Sequence, residues 1–204
     1  MDVSDQLNRT ATDEQNRAQD HITDIYAKTP AKLLLLSLRG RVFSTENDSG
    51  NWQRVATLSD EPQTCNCRLG VTENGNVWVL GGANSREGRW GWFAREESTN
   101  LWKRFRPNGV YFSDAVYLSN NRVIAAGSMS SPKKPDENRA TEEGMLLYSS
   151  DGGQDWSVIY RSTKMASINK LAAVGSDRVW AVGEGGFILS LECSPNNTTS
   201  SIAR

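Results

Sequence analysis

From residue 31 onward the apolar positions of this chain recur with a period of two. Short runs rich in Val, Ile, Leu, Trp and Tyr alternate with clusters of Gly, Asn, Asp and Ser. That pattern predicts many short antiparallel strands joined by tight turns. The runs also repeat. NVWVLGG (76–82), RVIAAGS (122–128) and RVWAVGE (178–184) each place a polar or basic residue before Val, then alternate apolar positions up to a glycine. KLLLLSLRG (32–40) is a weaker fourth copy. A second strand follows each of them: RVFST, WGWFARE, GMLLYSS and GFILSLE. After three of these comes a strand that opens on tryptophan, at Trp52, Trp102 and Trp156. Before three of the glycine strands lies a further apolar run, CRLGVTE, FSDAVYLS or INKLAAVGS.

The repeating unit is therefore four strands, with a first copy that lacks its opening strand and a last copy that lacks its closing one. Units of this kind are the blades of a propeller. The expected fold is all-β, a small β-propeller of about four blades with an N-terminal helix. Residues 1–30 carry apolar positions at Val3, Leu7, Ala11, Ala18, Ile22, Ile25 and Tyr26, mostly at helical spacing. Thr12 to Gln15 reads as a capping box and Pro30 follows the last turn, which predicts a helix over 12–28. The division expected is thus 1–30 helical, 31–193 propeller repeats and 194–204 a disordered tail. SSPKKPDENRATEEG (130–144) interrupts the third unit with prolines and charges and reads as an exposed hairpin insertion.

SSDGGQDW (149–156) is the stretch most like a signature. Ser149, Asp151, Gly153 and Trp156 fit S-x-D-x-G-x-x-W between the strands GMLLYSS and WSVIY. Asp151 is placed to accept hydrogen bonds from amides of its own turn, the glycines tolerate positive φ, and Trp156 packs into the next strand pair. The motif resembles the Asp-box of bacterial-neuraminidase-like repeats. That resemblance implies a hairpin-building role away from any ligand site. STENDSGNW and EESTNLW, ending at Trp52 and Trp102, are reduced relatives. RVWAVGEGGFIL (178–189) together with this box also resembles the photosystem II assembly and stability factors and their bacterial relatives. What this implies is a binding scaffold.

Composition narrows the functions further. The 23 Lys+Arg nearly balance 24 Asp+Glu, so no global field favours nucleic acid or an anionic membrane. The longest strongly apolar run, Leu33 to Leu36, extended by Leu38 after Ser37, is far below the roughly 20 residues of a membrane span. No secretory signal is evident in the first thirty residues, so a cytoplasmic or stromal-like compartment is expected by default. A bridge from Cys65 or Cys67 to Cys193 would fasten distant segments, with free buried thiols the favoured alternative. His21 is the only histidine, too little for a zinc set or a Ser/His/Asp arrangement; no metal and no cofactor are expected.

Two surfaces are candidates for binding. GRWGWFAR (88–95) alternates Arg89, Trp90, Trp92 and Arg95, which offers either stacked aromatics and cations for a sugar or a nucleic-acid single strand, or an ordinary strand core with solvated arginines. The loops around each opening strand and glycine strand offer Arg68, Asn84, Arg86, Tyr111, Lys164 and Glu184 at a channel mouth. RFRP (104–107) only partly resembles the sialidase Phe-Arg-Ile-Pro motif, and about four blades are too few for that fold. The function expected is therefore a non-catalytic module that engages a protein partner, with a monomer favoured over a homodimer. The alternative is a neuraminidase-like glycan-binding or glycoside-hydrolysing protein, which would need paired carboxylates.

Overall fold

The computed structural model describes residues 21–29, 32–46, 51–58, 65–72, 75–85, 88–98, 101–105, 109–118, 121–130, 142–162, 167–194 and 197–203. These residues form sixteen strands and one short 3-10 turn. Sheet 1 contains β1 (Ile22–Thr29), β2 (Lys32–Ser37), β3 (Arg41–Glu46) and β4 (Gln53–Thr57). Sheet 2 contains β5 (Cys65–Val71), β6 (Val77–Ser85), β7 (Gly88–Ser98) and β8 (Leu101–Phe105). Sheet 3 contains β9 (Val110–Tyr117), β10 (Val123–Ser130), β11 (Glu142–Ser149) and β12 (Ser157–Ser162). Sheet 4 contains β13 (Ile168–Val174), β14 (Arg178–Gly183), β15 (Ile188–Ser194) and β16 (Asn197–Ala203). Every sheet is a four-stranded meander in chain order, the blade-like repeat of a propeller-like fold. Among the described residues no helix is long and apolar enough to cross a membrane.

Two ends of the pattern differ from expectation. Residues 22–28, expected in a helix, belong to β1, which pairs antiparallel with β2 through Ile25↔Leu35 and Tyr26↔Leu34. The apolar spacing there fits either period. What decides it is the run of leucines in β2, whose free edge takes up a strand, and tertiary pairing overrides a weak local preference. The rest of the helix prediction, residues 12–20, lies outside the described residues. At the other end Asn197–Ala203, expected as tail, pairs with β15 from Ser194↔Asn197 to Ile188↔Ala203. Sheets 1 and 4 thereby acquire the strand that the sequence pattern left out. The insertion begins where Ser130 pairs with Glu142, and residues 131–141 lie outside the described residues.

The chain divides into two compact units, Met1–Gly81 with Ala94–Arg104, and Gly82–Phe93 with Phe105–Arg204. In the first, Leu34, Leu36, Val42 and Leu80 are buried, and Leu35 and Phe43 pack together with Trp52. In the second, one face of sheet 3 (Ile124, Ala126, Leu146) packs on one face of sheet 4 (Ile168, Val179, Ala181, Leu189, Leu191). Period-two alternation puts each set on a single side of its sheet, and burying them supplies most of the stabilisation.

The glycines that close β10 and β14 have a steric reason. A Cβ on Gly127 would lie 1.9 Å from the carbonyl oxygen of Tyr111, and one on Gly183 would lie 2.7 Å from that of Ser167. The opening strand crosses so close there that only glycine fits.

Candidate functional site

The hairpin from Ser149 to Trp156 is held by its own side chains. The Ser149 hydroxyl donates to Asp151 Oδ1 at 2.7 Å and accepts the Gly153 amide at 2.7 Å. Asp151 Oδ1 also accepts the amides of Gln154 (2.9 Å) and Asp155 (3.1 Å). Gly152 and Gly153 take φ of 76° and 92°, which a side chain would resist. The Trp156 indole donates to the Gly153 carbonyl at 2.9 Å, and its ring lies 5.5 Å from that of Phe112. Desolvation pushes the Asp151 carboxyl upward, but the Ser149 hydroxyl and the turn amides outweigh it and hold it below its ordinary value. A carboxylate so occupied is a poor proton donor at neutral pH, and the motif is a turn.

A second carboxylate device emerges on the opening strands. Asp24 in β1 accepts the amide of Ile25 at 3.0 Å and, with its other oxygen, the amide of Leu69 in β5 at 2.9 Å. Asp114 in β9 does the same with Ala115 at 3.1 Å and Leu171 in β13 at 3.0 Å. The positions correspond, because Ile25 pairs with Leu35, Ala115 with Ala125 and Leu171 with Ala181. The residue before each receiving amide is a cation, Arg68 or Lys170, and Lys170 Nζ lies 3.6 Å from Asp114. One structural position thus reads Asp24, Arg68, Asp114, Lys170 through the four sheets. Sequence reasoning missed this clasp because its aspartates lie at different offsets from any glycine or tryptophan; the only signal was Thr-Asp-Ile beside Ser-Asp-Ala.

Arg122, 6% exposed, ties sheet 3 to sheet 4. Its guanidinium donates to the carbonyls of Cys193 and Ser176 and to Asp177 Oδ1, the last two at 3.1 Å. The Arg122 hydrogen bond, with that from Ser176, holds the Asp177 carboxyl below its ordinary value. Cys193 is a free, buried thiol, so it takes no part in a bridge. Burial pushes its pKa up, against the pull of Arg122, which keeps it unreactive.

Of the residues expected at a channel mouth, Tyr111 is buried at the start of β9 and pairs with Ser128, next to Gly127. Glu184 stands exposed in the 3-10 turn Glu184–Gly186, just after Gly183, its amide donating to the Ser167 carbonyl at 3.2 Å. These two therefore occupy the corresponding end of sheets 3 and 4. Arg68 sits in the middle of β5, half-buried, with its Nε enclosed and lacking a hydrogen-bond partner. Asn84 lies in β6 with its side chain outside the described residues, as are the side chains of Arg89, Trp90, Trp92 and Arg95. Arg86 and Lys164 lie outside the described residues altogether. No cluster of metal-ligating side chains occurs among the described residues.

One further feature was hidden by the repeat pattern. The side of sheet 4 turned away from sheet 3 carries Ala172, Val174, Trp180, Val182 and Ile188. Val182 is 41% exposed and Ile188 44%. The corresponding residues of the other sheets, Leu36, Leu80 and Ala126 for Val182, and Val42 and Leu146 for Ile188, are all 0% exposed. A position that is sealed wherever else it recurs stands open on sheet 4.

No protein-family profile and no curated protein sequence matches this chain. Solved structures do match. YCF48 bound to D1 peptide is 16% identical over 87% of this chain and 66% of that one, with a TM-score of 0.39. YCF48 from Cyanidioschyzon merolae is 14% identical over 89% of this chain and 71% of that one, TM-score 0.43. The polysaccharide lyase Uly1 is 13% identical over 94% of this chain and 51% of that one, TM-score 0.53. The chain thus spans about two thirds of the first of these structures and half of the lyase. At such identities the likeness extends to fold and no further: four repeated antiparallel sheets of a propeller-like, all-β protein.

Proposed function

We propose that this protein is a non-catalytic binding or assembly module that engages a protein partner through the open face of sheet 4. The observation that carries this reading is the exposure of Val182 and Ile188 at positions that are fully buried in the sister sheets. Large apolar residues gathered on one exposed sheet face mark an interaction surface more often than an accident of packing. The disposition of the charged groups supports the same reading. Asp24, Asp114 and Asp151 accept main-chain amides, and Arg122 donates to main-chain carbonyls. They hold the fold together, whereas a glycosidase needs carboxylates free to exchange protons across a substrate. We also assign the Ser149–Trp156 turn to the Asp-box class on its hydrogen-bond pattern, as a structural element.

A photo-crosslinking residue placed at Val182 tests the reading. It should capture polypeptide, whereas the same residue at exposed Asp155 in the hairpin should not. Equal labelling at both positions, or none at Val182, would overturn it.

A further inference from the structure

The turn that Asp151 organises contains the only Asp–Gly pair of the chain, Asp151–Gly152. Gly152 takes φ of 76°, so the turn calls for glycine directly after the aspartate. A glycine in that place also leaves the pair chemically labile. With no side chain in the way, the Gly152 amide nitrogen is free in an open chain to attack the Asp151 carboxyl. The nitrogen gives up its proton and bonds to Cγ, the Cγ–OH bond breaks, and water leaves as a five-membered succinimide closes. Water then adds back at either ring carbonyl. Opening at Cγ restores aspartate. Opening at the main-chain carbonyl leaves Gly152 attached through Cγ, and the residue is isoaspartate, with no net change in atoms or oxidation state.

Both reacting groups are engaged in the folded hairpin. The Gly152 amide donates to the main-chain carbonyl of Asn121 at 2.8 Å, in the turn between β9 and β10. The Gly152 carbonyl accepts the Tyr117 hydroxyl at 3.2 Å, which fixes the glycine at its other end. The carboxyl group is held toward the residues that follow: Oδ1 accepts the Ser149 hydroxyl at 2.7 Å and the Gln154 amide at 2.9 Å, and Oδ2 the Asp155 amide at 3.2 Å. Ring closure has to break these bonds first. It also consumes the protonated acid, whose hydroxyl is the leaving group. Desolvation favours that form, but the Ser149 hydroxyl and the Asp155 and Gln154 amides outweigh it, so the acid is scarcer in the turn than in the open chain.

We propose that Asp151 is a latent isoaspartate site, which the turn protects while sheet 3 is folded and which reacts when the hairpin opens. The product does not fit back into the turn. Isoaspartate inserts one more carbon into the main chain between residues 151 and 152 and leaves its carboxylate directly on Cα. The Gln154 and Asp155 amides then fall out of step with that carboxylate, and the connection that keeps Tyr148 opposite Ser157 in β11 and β12 is lost. A chain that has stayed open here is marked permanently.

Ageing of the full chain, followed by peptide mapping with electron-transfer fragmentation to distinguish the two isomers, tests this. In urea, isoaspartate should accumulate at position 151. In the folded protein at the same pH it should form about a hundred-fold more slowly, because the hairpin must first open. Asp155, followed by Trp156 rather than glycine, is the internal control and should convert far less in urea. Ser149→Ala, shown to be folded by circular dichroism, should raise the folded-state rate at 151 about ten-fold by releasing the carboxyl. If that variant does not fold, wild type in urea below its unfolding midpoint decides: the rate at 151 should rise in step with loss of protection at the Gly152 amide. A folded-state rate equal to the rate in urea would overturn the proposal. So would a folded Ser149→Ala chain no faster than wild type, a rate indifferent to urea below the midpoint, or equal conversion at 151 and 155.

Discussion

Removing the Asp114 carboxylate should loosen the attachment of sheet 4 to sheet 3 without unfolding either. Asp114 is 8% exposed and accepts the Leu171 amide at 3.0 Å and the Ala115 amide at 3.1 Å. A hydrogen bond to an ionised group contributes roughly 1.5–3 kcal/mol, and an amide left without a partner adds its desolvation cost. The contact with half-exposed Lys170 adds under about 1 kcal/mol, because solvent screens it. Asp114→Ala should therefore cost about 2–4 kcal/mol. Asp114→Asn, which keeps one acceptor oxygen but turns an NH2 toward a donor, should cost about half as much. Urea unfolding followed by tryptophan fluorescence reads the total, with an unchanged m-value showing that the folded state is otherwise intact. Amide exchange localises it. Protection of the Leu171 amide should fall about thirty-fold or more, since roughly 1.4 kcal/mol is a factor of ten. The Leu69 amide, held by Asp24, serves as the internal control. A total cost below about 0.5 kcal/mol, or equal loss of protection at Leu69 and Leu171, would refute the idea that the carboxylate joins these two strands.

Asp151→Ala should cost roughly 1–3 kcal/mol, because the buried Ser149 hydroxyl loses its acceptor while the exposed Gln154 and Asp155 amides turn to water, read as a shift in Tm at neutral pH. Because the folded Asp151 carboxyl sits below its ordinary value, its contribution is complete above the unfolded pKa near 3.9 and disappears as pH falls through the lower folded value. Wild type and Asp151→Asn should therefore converge in stability on acidification, and parallel curves down to pH 2 would contradict the assignment. Arg122→Met should cost about 2–4 kcal/mol, because the buried carbonyl of Cys193 loses its donor. Alkylation of Cys193 should quicken in parallel, and a variant as stable as wild type with a still-protected thiol would count against the clamp.

The strand pattern was legible because period-two alternation and its punctuation are local properties. Val179, Ala181, Leu189 and Leu191 already alternate with solvent-side neighbours in the sequence, and the structure buries them as one face. The tight turn at Asp151 was legible for the same reason, since the hydrogen bonds that join Ser149 and Asp151 to Gly153, Gln154 and Asp155 span at most four residues. What escaped was long-range. Asp114 and Leu171 are 57 residues apart, and Arg122 and Cys193 are 71 apart, and no periodicity announces either pairing. The first strand was misread because an edge strand leaves Ile25 and Tyr26 exposed on both sides, so its apolar spacing carries no period-two signal. Ile188, one residue before Leu189, stands on the opposite side of β15 and meets solvent. Alternation tells which residues share a face; it does not tell whether anything covers that face.

The series Asp24, Arg68, Asp114, Lys170 bears on how a repetitive chain finds its own order. Four sheets with interchangeable aliphatic faces could stack in several sequences during folding, and hydrophobic burial alone would reward most of them almost equally. The clasp position discriminates. Sheet 2 offered to sheet 1, or sheet 4 to sheet 3, brings an amide and a cation to a carboxylate. Sheet 4 stacked on sheet 2 would instead set Lys170 against Arg68, leave the Leu171 amide without an acceptor, and repel. One side chain per repeat thereby works as an address within each unit, so that sheet 1 takes sheet 2 and sheet 3 takes sheet 4 rather than a wrongly ordered mate.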